Sequence, residues 1–406
     1  MAEIAPVYVF ATLDTKFDEA NFLANAIKGE GVPAVIVDVG TAKPPLGKGD
    51  VDRSVVAGFH PQGAAYVLGH TDRGAAIIAM GQALREFMID AHVNGRCSAV
   101  IGIGGTGGSS MIATGMRGLP IGFPKLLVST VASGDTSSYI GTSDISMMPS
   151  IVDVAGLNRV SKKVFRNAAG AIAGMARLKD FADESRPALG VTMFGVTTPC
   201  VTAVREVLEG CGFDTLVFHA TGVGGRAMEG LAASGLIEGV LDITTTEVAD
   251  EVVGGVFACG PDRFDVMLAR KMPYLMSLGA LDMVNFGPLD TVPAQFRNRK
   301  LHVHNSSVTL MRTTVEENVQ FAHWIAGKLN AYPDSPFTLL IPEGGVSELD
   351  KPGNPFHDPE ADEALFKTLE EIVIQGPERK IIRCPAHIND QRFCDVIVEE
   401  FNRIKR

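Results

Sequence analysis

The run from Ser98 to Ser110, SAVIGIGGTGGSS, combines residue types that can bind phosphate. Its apolar start, ending in glycine, is typical of a buried strand in a parallel sheet. Glycines let the backbone turn and approach a ligand closely, and a helix beginning near Ser109 would direct free N–H groups at an anion. We therefore predict a phosphate- or nucleotide-binding loop, and the alternative is a tight strand-to-helix turn without a ligand. The predicted contact residues are Gly104, Gly105, Thr106, Gly107, Gly108 and Ser109.

The loop lacks the usual companions of the two best-known glycine signatures. Gly102, Gly104 and Gly107 satisfy G-x-G-x-x-G, but a dinucleotide site also needs an acidic residue at the end of the next strand. Here that strand, KLLVST, ends in hydroxyl residues, which disfavours the alternative of a nicotinamide-dependent oxidoreductase. A Walker loop needs a lysine after its last glycine, and a serine follows Gly108. Backbone N–H groups and hydroxyls would therefore hold the phosphates.

Other polar residues of the N-terminal half follow predicted strands, and ligands of parallel sheets bind beyond the carboxyl ends of the strands. Their hydroxyl and N–H groups can bind phosphate oxygens, and Asp14 or Asp135 could hold Mg²⁺ through water. The alternative for each aspartate is a helix N-cap or a turn. We expect the nucleoside near Asp38 or near the loop 12–16. The predicted cofactor-binding set therefore also contains Thr12, Asp14, Lys16, Asp38, Thr130, Ser133, Gly134, Asp135 and Thr136.

A second group of polar residues follows predicted strands of the C-terminal half. HATGVGGRAME, residues 219–229, opens a helix whose first turn holds Arg226, an anchor for a carboxylate or a phosphate. His219 or Glu247 is the predicted proton-transfer residue, so His219, Arg226 and Glu247 form the predicted catalytic set. The alternative is that the charged side chains of this region only pair with one another. These side chains are His219, Arg226, Glu229, Asp242, Glu247, His304 and Glu343.

The segment HVHN puts His302 and His304 on one face of a strand, because alternate residues share a face. Two such histidines can bind a metal ion, but the nearby sequence offers no third ligand. We therefore predict no metal site, and a structural or hydrogen-bonding role for the two histidines.

The elements that position these residues repeat one plan. Residues 1–40 and residues 188–222 each contain a strand, an amphipathic helix, a glycine and a second strand, which is the spacing of a βαβ unit. The charged, proline-containing segment 182–190, after a helical stretch over 158–181, is the predicted boundary between the halves. We predict an α/β fold with two Rossmann-like subdomains and mainly parallel sheets, residues 1–185 and residues 186–406.

Composition excludes several classes of function. The 406 residues include 47 acidic and 36 basic ones, and a net charge of −11 argues against a nucleic-acid surface. No apolar run approaches the length of about 18 residues that a membrane span needs, and the N-terminus lacks the basic start of a signal peptide. The six cysteines show no metal-binding spacing. These features predict a cytoplasmic protein with reduced thiols and no nucleic-acid or membrane partner.

Seven long segments together resemble a known family. They are ATLDTK, GIGGTGGS, STVASGD, HATGVGGRAME, LDITTTEVADEVVGG, HVHNSSVTLMRTT and IPEGGVSELDKPGNPFHDPEAD. The chain resembles the bacterial proteins of unassigned function related to the ATP-binding domain of the plant tobamovirus resistance protein. The resemblance implies ATP binding in the first half and a homodimer. In the plant protein a TIM-barrel-like domain follows, so the resemblance also implies a separate barrel-like partner protein.

Two hypotheses of function follow. The first is a cytoplasmic ATP-binding enzyme or enzyme subunit that acts on a small anionic metabolite at an interdomain cleft, since two glycine loops with different neighbours suggest two ligands. The alternative is a dimeric binding or regulatory module that uses ATP without turnover. The turnover of ATP in the presence of candidate metabolites would distinguish the two hypotheses.

Overall fold

The computed structural model describes residues 4–178 and 186–405. The chain divides into two compact units, one within Met1–Asp183 and one within Glu184–Arg406. Residues 182–185 of the predicted boundary lie outside the described residues, as do residues 179–181 at the end of the predicted helical stretch. Within the described ranges, every helix is too short or too polar to span a bilayer.

The N-terminal unit is built on a parallel sheet. Its strands are β1 (Val7–Ala11), β2 (Ala34–Asp38), β3 (Ala99–Gly104), β4 (Lys125–Ser129) and β5 (Ser146–Pro149). They lie in the order β2-β1-β3-β4-β5, and every pair of neighbours is parallel. The chain therefore leaves β1 first toward one edge of the sheet and then toward the other, which places a topological switch point between β1 and β3.

Helices cover both faces of this sheet. They are α1 (Phe17–Gly29), α2 (Arg53–Ala57), α3 (Gly63–Leu68), α4 (Arg73–Val93), α5 (Thr106–Met116), α6 (Ser137–Ile140) and α7 (Arg159–Arg177). Side chains alternate along a strand, so Val9 packs with α1 and α7 on one face while its neighbour Phe10 packs with α4 and α5 on the other. Both faces are buried, as the continuous apolar strands predict.

The C-terminal unit has a six-stranded parallel sheet and a small antiparallel one. The parallel strands are β6 (Ala188–Met193), β7 (Asp214–His219), β8 (Gly239–Thr244), β9 (Tyr274–Gly279), β13 (Phe337–Pro342) and β14 (Arg379–Cys384), in the order β14-β13-β9-β8-β6-β7. The antiparallel strands are β10 (Met283–Phe286), β11 (Leu301–Asn305) and β12 (Val308–Arg312), with β12 in the middle.

Helices also cover both faces of the six-stranded sheet. They are α8 (Thr198–Gly210), α9 (Val223–Ala233), α10 (Thr246–Val253), α11 (Asp265–Ala269), α12 (Val315–Ala331), α13 (Pro359–Ile372) and α14 (Gln391–Ile404). Short 3-10 helices occupy Gly195–Thr197, Leu289–Thr291 and Ala294–Phe296. Leu241 packs with α8 and α14, whereas its neighbour Val240 packs on the face that carries α9, α10, α12 and α13.

The two units share one strand order. In each, the second strand lies on one side of the first, and the third, fourth and fifth strands follow on the other side. The predicted α/β class with mainly parallel sheets is confirmed. The repeated strand–helix–glycine–strand plan in the sequence reflects this shared topology.

Three segments show details that the sequence pattern does not reveal. The run 274–286 is two strands, because the chain turns at Ala280, whose φ is +58°, and β10 then joins the antiparallel sheet. All of these residues are apolar or buried, so periodicity did not reveal the turn. The run LHVH also belongs to the antiparallel sheet. Helix α5 begins at Thr106, three residues before the predicted start at Ser109, because the glycine loop itself supplies its first turn.

Candidate functional site

The glycine loop is a direct junction between β3 and α5 at the carboxyl edge of the N-terminal sheet. The first helical hydrogen bond runs from Ser109 N to Gly105 O over 2.8 Å. The backbone N–H groups of Thr106, Gly107 and Gly108 thus precede the helical ladder, and none of them donates to another group of the described chain. They lie next to the switch point between β1 and β3, where doubly wound sheets bind ligands.

The glycines of this loop serve different purposes. A Cβ at Gly104 would lie 2.9 Å from Ser109 N and 3.1 Å from Gly108 C, so glycine allows the strand end to pack against the helix start. A Cβ at Gly108 would meet no atom within 4 Å. Gly104 is therefore required by packing, whereas a side chain at Gly108 would enter open space at the first turn of α5.

Arg73 lies beside the loop and was not predicted. Its Nη2 atom is 3.7 Å from the position that a Cβ of Gly107 would occupy. Arg73 is the first residue of α4, it is exposed, and its side chain makes no hydrogen bond or ion pair with the described residues. The sequence gives no signal for this proximity, because it arises from the packing of α4 against α5.

The loop after β4 lies next to the glycine loop. Thr130 N donates to Gly104 O over 3.4 Å, and the Thr130 hydroxyl lies 3.9 Å from the position of a Gly105 Cβ. Thr130 and Ser133 line a cavity of about 310 Å³ together with residues 150–153. Ile151 in its wall has a φ of +66°, a strained conformation for a β-branched residue.

The remainder of that loop is solvent-exposed. Ser133, Gly134 and Asp135 are exposed and Thr136 is partly buried. Asp135 Oδ1 accepts a hydrogen bond from Ser137 N over 2.9 Å, and bonds from the Ser137 hydroxyl and backbone lower the pKa of Asp135. Asp135 therefore sits in a turn at the start of α6 with its carboxylate accessible to solvent.

Ser109 lies underneath the loop. Its hydroxyl is 2.6 Å from the hydroxyl of Ser129 and donates to Gly104 O over 3.2 Å, and both serines are fully buried. These hydroxyls fasten α5 to the ends of β3 and β4. They position the free N–H groups without facing the open side of the loop.

Asp38 ties together the loops that follow β1 and β2. Its Oδ1 accepts from Leu13 N over 3.1 Å and from Gly40 N over 2.8 Å, and its Oδ2 accepts from Arg53 Nε over 2.7 Å. The carboxylate is buried, and each of its oxygens accepts at least one hydrogen bond. Asp38 also borders a cavity of about 410 Å³ lined by Asp38, Pro45, Gly47, Lys48, Gly49, Asp50 and Asp52.

The loop after β1 is a compact turn. Lys16 N donates to Thr12 O over 2.8 Å, and the hydroxyls of Thr12 and Thr15 lie 3.0 Å apart. Asp14 is buried, and its Oδ2 accepts from Ala42 N over 3.4 Å and from Lys43 N over 3.2 Å. The structure thus gives the turn role to Asp14, while the Lys16 side chain is partly exposed at the start of α1.

In the C-terminal unit the predicted proton-transfer residue Glu247 is enclosed. Arg263 donates from Nε to Glu247 Oε2 over 3.0 Å, from Nη1 to Glu229 Oε1 over 3.0 Å, and from Nη2 to Asp242 Oδ1 over 2.9 Å. Glu247 Oε1 accepts from the backbone N–H groups of Gly222 and Gly225 over 2.6 and 3.2 Å. Burial raises the pKa of Glu229 and of Asp242. Three of the predicted acids therefore meet, and a guanidinium that was not predicted pairs with all of them.

The other two residues of the predicted catalytic set are exposed. The His219 ring stacks on Phe194 with 5.2 Å between the ring centroids. Arg226 donates from Nη1 to Ala258 O and Cys259 O over 3.1 and 3.3 Å. The described cavities do not bring His219, Arg226 and Glu247 together.

His302 and His304 lie on β11 of the antiparallel sheet. The His302 ring meets Phe356 edge-on at 6.1 Å, and the strand register shifts between Val303 and Asn305, at His304. Among the described residues, no three histidine, cysteine or acidic side chains are grouped as metal ligands.

The fold and these sites define a doubly wound α/β protein of two similar units, each with polar groups at the carboxyl edge of its sheet. Residues 5–180 match the N-terminal domain, and residues 186–405 the C-terminal domain, of the Uncharacterised protein family (UPF0261). The chain belongs to this family, which confirms the resemblance seen in the seven segments.

Relatives from bacteria and from tomato match nearly the whole chain. A UPF0261 protein of Rhizobium meliloti is 51% identical over 398 residues, with 98% of each chain covered. A UPF0261 protein of Mesorhizobium japonicum is 49% identical over 391 residues, with 96% of this chain and 97% of that protein covered. The ToMV resistance protein Tm-1 of Solanum lycopersicum is 48% identical over 419 residues, with 98% of this chain covered but only 55% of the tomato protein.

Proposed function

We propose that the N-terminal unit binds ATP, with the phosphates against Thr106–Gly108 and the loop 130–136. The observation that carries this proposal is a set of N–H groups at the switch point, with the guanidinium of Arg73 beside them, all without a partner among residues 4–178 and 186–405. The resemblance to a family with an ATP-binding domain supports the choice of nucleotide. N–H groups at a helix start and a guanidinium are the donors that phosphate oxygens accept best.

The parts of the nucleotide have distinct neighbours in this proposal. Arg73 supplies the positive charge that the lysine of a Walker loop supplies elsewhere. Thr130 and Ser133 offer hydroxyl donors, and the exposed carboxylate of Asp135 holds Mg²⁺ through water. The nucleoside lies toward the cavity beside Asp38 and the loop 12–16. Asp38 borders this cavity but does not bind the ribose in this proposal, because its carboxylate is buried and already accepts three hydrogen bonds.

We extend the proposal to a cytoplasmic, homodimeric enzyme or enzyme subunit that acts on a small anionic metabolite and has a separate barrel-like partner. The exposed guanidinium of Arg226 at the start of α9 is the anion anchor in this proposal. One observation favours the alternative, a binding or regulatory module without turnover. The proton-transfer candidate Glu247 is fully buried, and its carboxylate accepts a hydrogen bond from Arg263. Release of ADP during incubation with metabolite mixtures supports the enzyme, and ATP binding without ADP release supports the module.

The experiment that tests ATP binding uses Gly108→Val in the full-length protein. A Cβ at Gly108 meets no atom within 4 Å, so a valine side chain would enter open space at the first turn of α5 and the fold should persist. Calorimetric titration with ATP and Mg²⁺ should show an affinity at least about a hundredfold below that of the parent protein.

Gly170→Val is the matched control. Gly170 is also helical, its Cβ position is also empty within 4 Å, and it lies on α7 away from the loop. It makes the same exchange of a helical glycine for valine. A folded Gly108→Val protein with the ATP affinity of the Gly170→Val control would refute the placement.

A further inference from the structure

A second cluster of buried charge lies at the carboxyl ends of β9 and β13, neighbours in the C-terminal sheet. Asp282 follows β9, Asp350 follows β13, and Asp362 lies on α13; all three surround the guanidinium of Arg312. Arg312 Nη2 donates to Asp362 Oδ1 over 2.8 Å and lies 3.9 Å from Asp350 Oδ1. Three carboxyl groups thus share one guanidinium, which leaves negative charge uncompensated when all three are ionised.

Two polar atoms of this cluster lack a hydrogen-bond partner in the described chain. They are Asp282 Oδ1 and His357 Nδ1, which are buried, whereas the Asp350 carboxyl group shares a side-chain hydrogen bond with Asp362. Asp282 and Asp350 are fully buried as residues. His357 Nδ1 lies 3.9 Å from Asp350 Oδ1, which is too long for a hydrogen bond. Buried oxygens without donors cost free energy unless something else supplies the donors.

A cavity of about 290 Å³ opens onto this cluster through His357 and Asp362. Two other acidic residues line this cavity. Glu343 and Glu363 form ion pairs with Arg383 at 3.4 and 2.8 Å, whereas Asp362 forms no ion pair with Arg383. Its apolar walls are Pro352, Pro359 and Phe366. The cavity therefore has an acidic end and an apolar side, and its size suits a compact molecule.

We propose that this cavity is a binding site for a compact organic ammonium ion, with its N–H groups on Asp362 and His357 and its carbon chain against Phe366. An anion is disfavoured because carboxyl groups line the cavity. A divalent metal ion needs several oxygen ligands around one point, and the described residues contain no such group. An ammonium ion needs fewer contacts, supplies N–H donors, and compensates the charge of Asp350 behind Asp362.

The protonation of Asp362 supports this assignment. Burial and the negative charge of Asp350 raise the pKa of Asp362 to about 9, and burial raises the pKa of Asp282 to about 7. The hydrogen bond from Arg312 to Asp362 persists when Asp362 is protonated, because the carbonyl oxygen of a neutral carboxyl group also accepts hydrogen bonds. An arriving ammonium ion displaces the proton of Asp362, so binding releases protons at neutral pH. The charged or titratable groups that face Asp362 are Asp282, Asp350, Arg312, His357, Glu343, Glu363 and Arg383.

The test compares two probes of matched carbon chain, n-butylamine and sodium butyrate, by calorimetric titration of the full-length protein. Butylamine should bind measurably, butyrate should not, and butylamine binding should release protons when buffers of different ionisation enthalpy are compared. Affinity for butylamine should rise between about pH 7 and pH 9 as Asp362 loses its proton. Asp362→Asn keeps an acceptor for Arg312 but removes the charge, and should weaken butylamine binding at least about tenfold.

Glu370→Gln is the control, because Glu370 binds the same Arg383 at 2.9 Å but does not line the cavity. It should leave butylamine affinity unchanged. Glu343 is an exposed residue that lines the cavity, and Glu343→Gln should weaken butylamine binding by about threefold. This variant tests the proposal if Asp362→Asn fails to fold. The proposal would be overturned if butylamine did not bind, or if butyrate bound as tightly as butylamine. It would also be overturned if Glu370→Gln lost as much butylamine affinity as Asp362→Asn and Glu343→Gln. The outcome is independent of ATP binding in the N-terminal unit.

Discussion

Arg263 Nε donates to Glu247 Oε2 over 3.0 Å, and both side chains are fully buried. This contact decides the role of Glu247. A carboxylate locked between a guanidinium and two backbone N–H groups is not available to a substrate, so Glu247 holds the glycine turn before α9 in place. It also explains Gly225, since a Cβ there would collide with Glu247 Oε2.

Replacing Arg263 with methionine should destabilise the C-terminal unit by about 3–5 kcal/mol, because it leaves buried carboxyl groups without their cation. Urea denaturation followed by circular dichroism measures this loss. Arg205→Met is the control, since Arg205 pairs with Glu209 on the surface, where both side chains are more than a third exposed. The control should change the free energy of unfolding by less than about 1 kcal/mol. Similar small losses in both variants would show that the buried cluster is not stabilised by Arg263.

Replacing Arg73 with alanine should weaken ATP binding by about tenfold, because the phosphates lose a charged donor. Affinity for adenosine, which has no phosphate, should stay the same. Arg85→Ala removes another exposed arginine of α4 that pairs with Glu86 at 2.8 Å, and should leave both affinities unchanged. Calorimetry with the two ligands measures the effect. Equal ATP affinity in the Arg73 and Arg85 variants would remove Arg73 from the phosphate site.

The stability of the C-terminal unit should fall as the pH rises from about 4 to about 9, in part because of Asp362. Its pKa is raised to about 9 in the folded protein by burial and by Asp350, while the unfolded value is about 4. The folded state therefore binds the proton more tightly than the unfolded state. The resulting stabilisation is complete below the unfolded pKa and is lost as the pH passes the folded pKa.

The variant Asp362→Asn stays neutral at every pH. Its melting temperature relative to that of the parent protein should therefore rise between about pH 4 and pH 9. Thermal denaturation in a series of buffers measures the difference. A constant difference over this range would mean that Asp362 has an ordinary pKa in the folded protein.

Local features of the sequence determined most of the fold. Apolar runs that end in glycine predicted the parallel strands, amphipathic periodicity predicted helices such as α1 and α8, and the repeated plan predicted two similar units. The glycine loop at Gly104–Gly108 was also recognisable, because turn geometry and free N–H groups follow from consecutive residues. The long segments around these features placed the chain in its family.

Only the tertiary structure decided what the polar residues at the strand ends do. Asp38 and Glu247 lie at strand ends as ligand-binding acids do, yet each pairs with an arginine, Arg53 or Arg263, that is 15 or 16 residues away in the sequence. Arg73 reaches the glycine loop, and Arg312 meets Asp362 across 50 residues, only because helices and strands pack in one particular way. The pairing of a buried charge depends on which side chains the fold brings within about 3 Å, and the spacing of residues along the chain does not contain that distance.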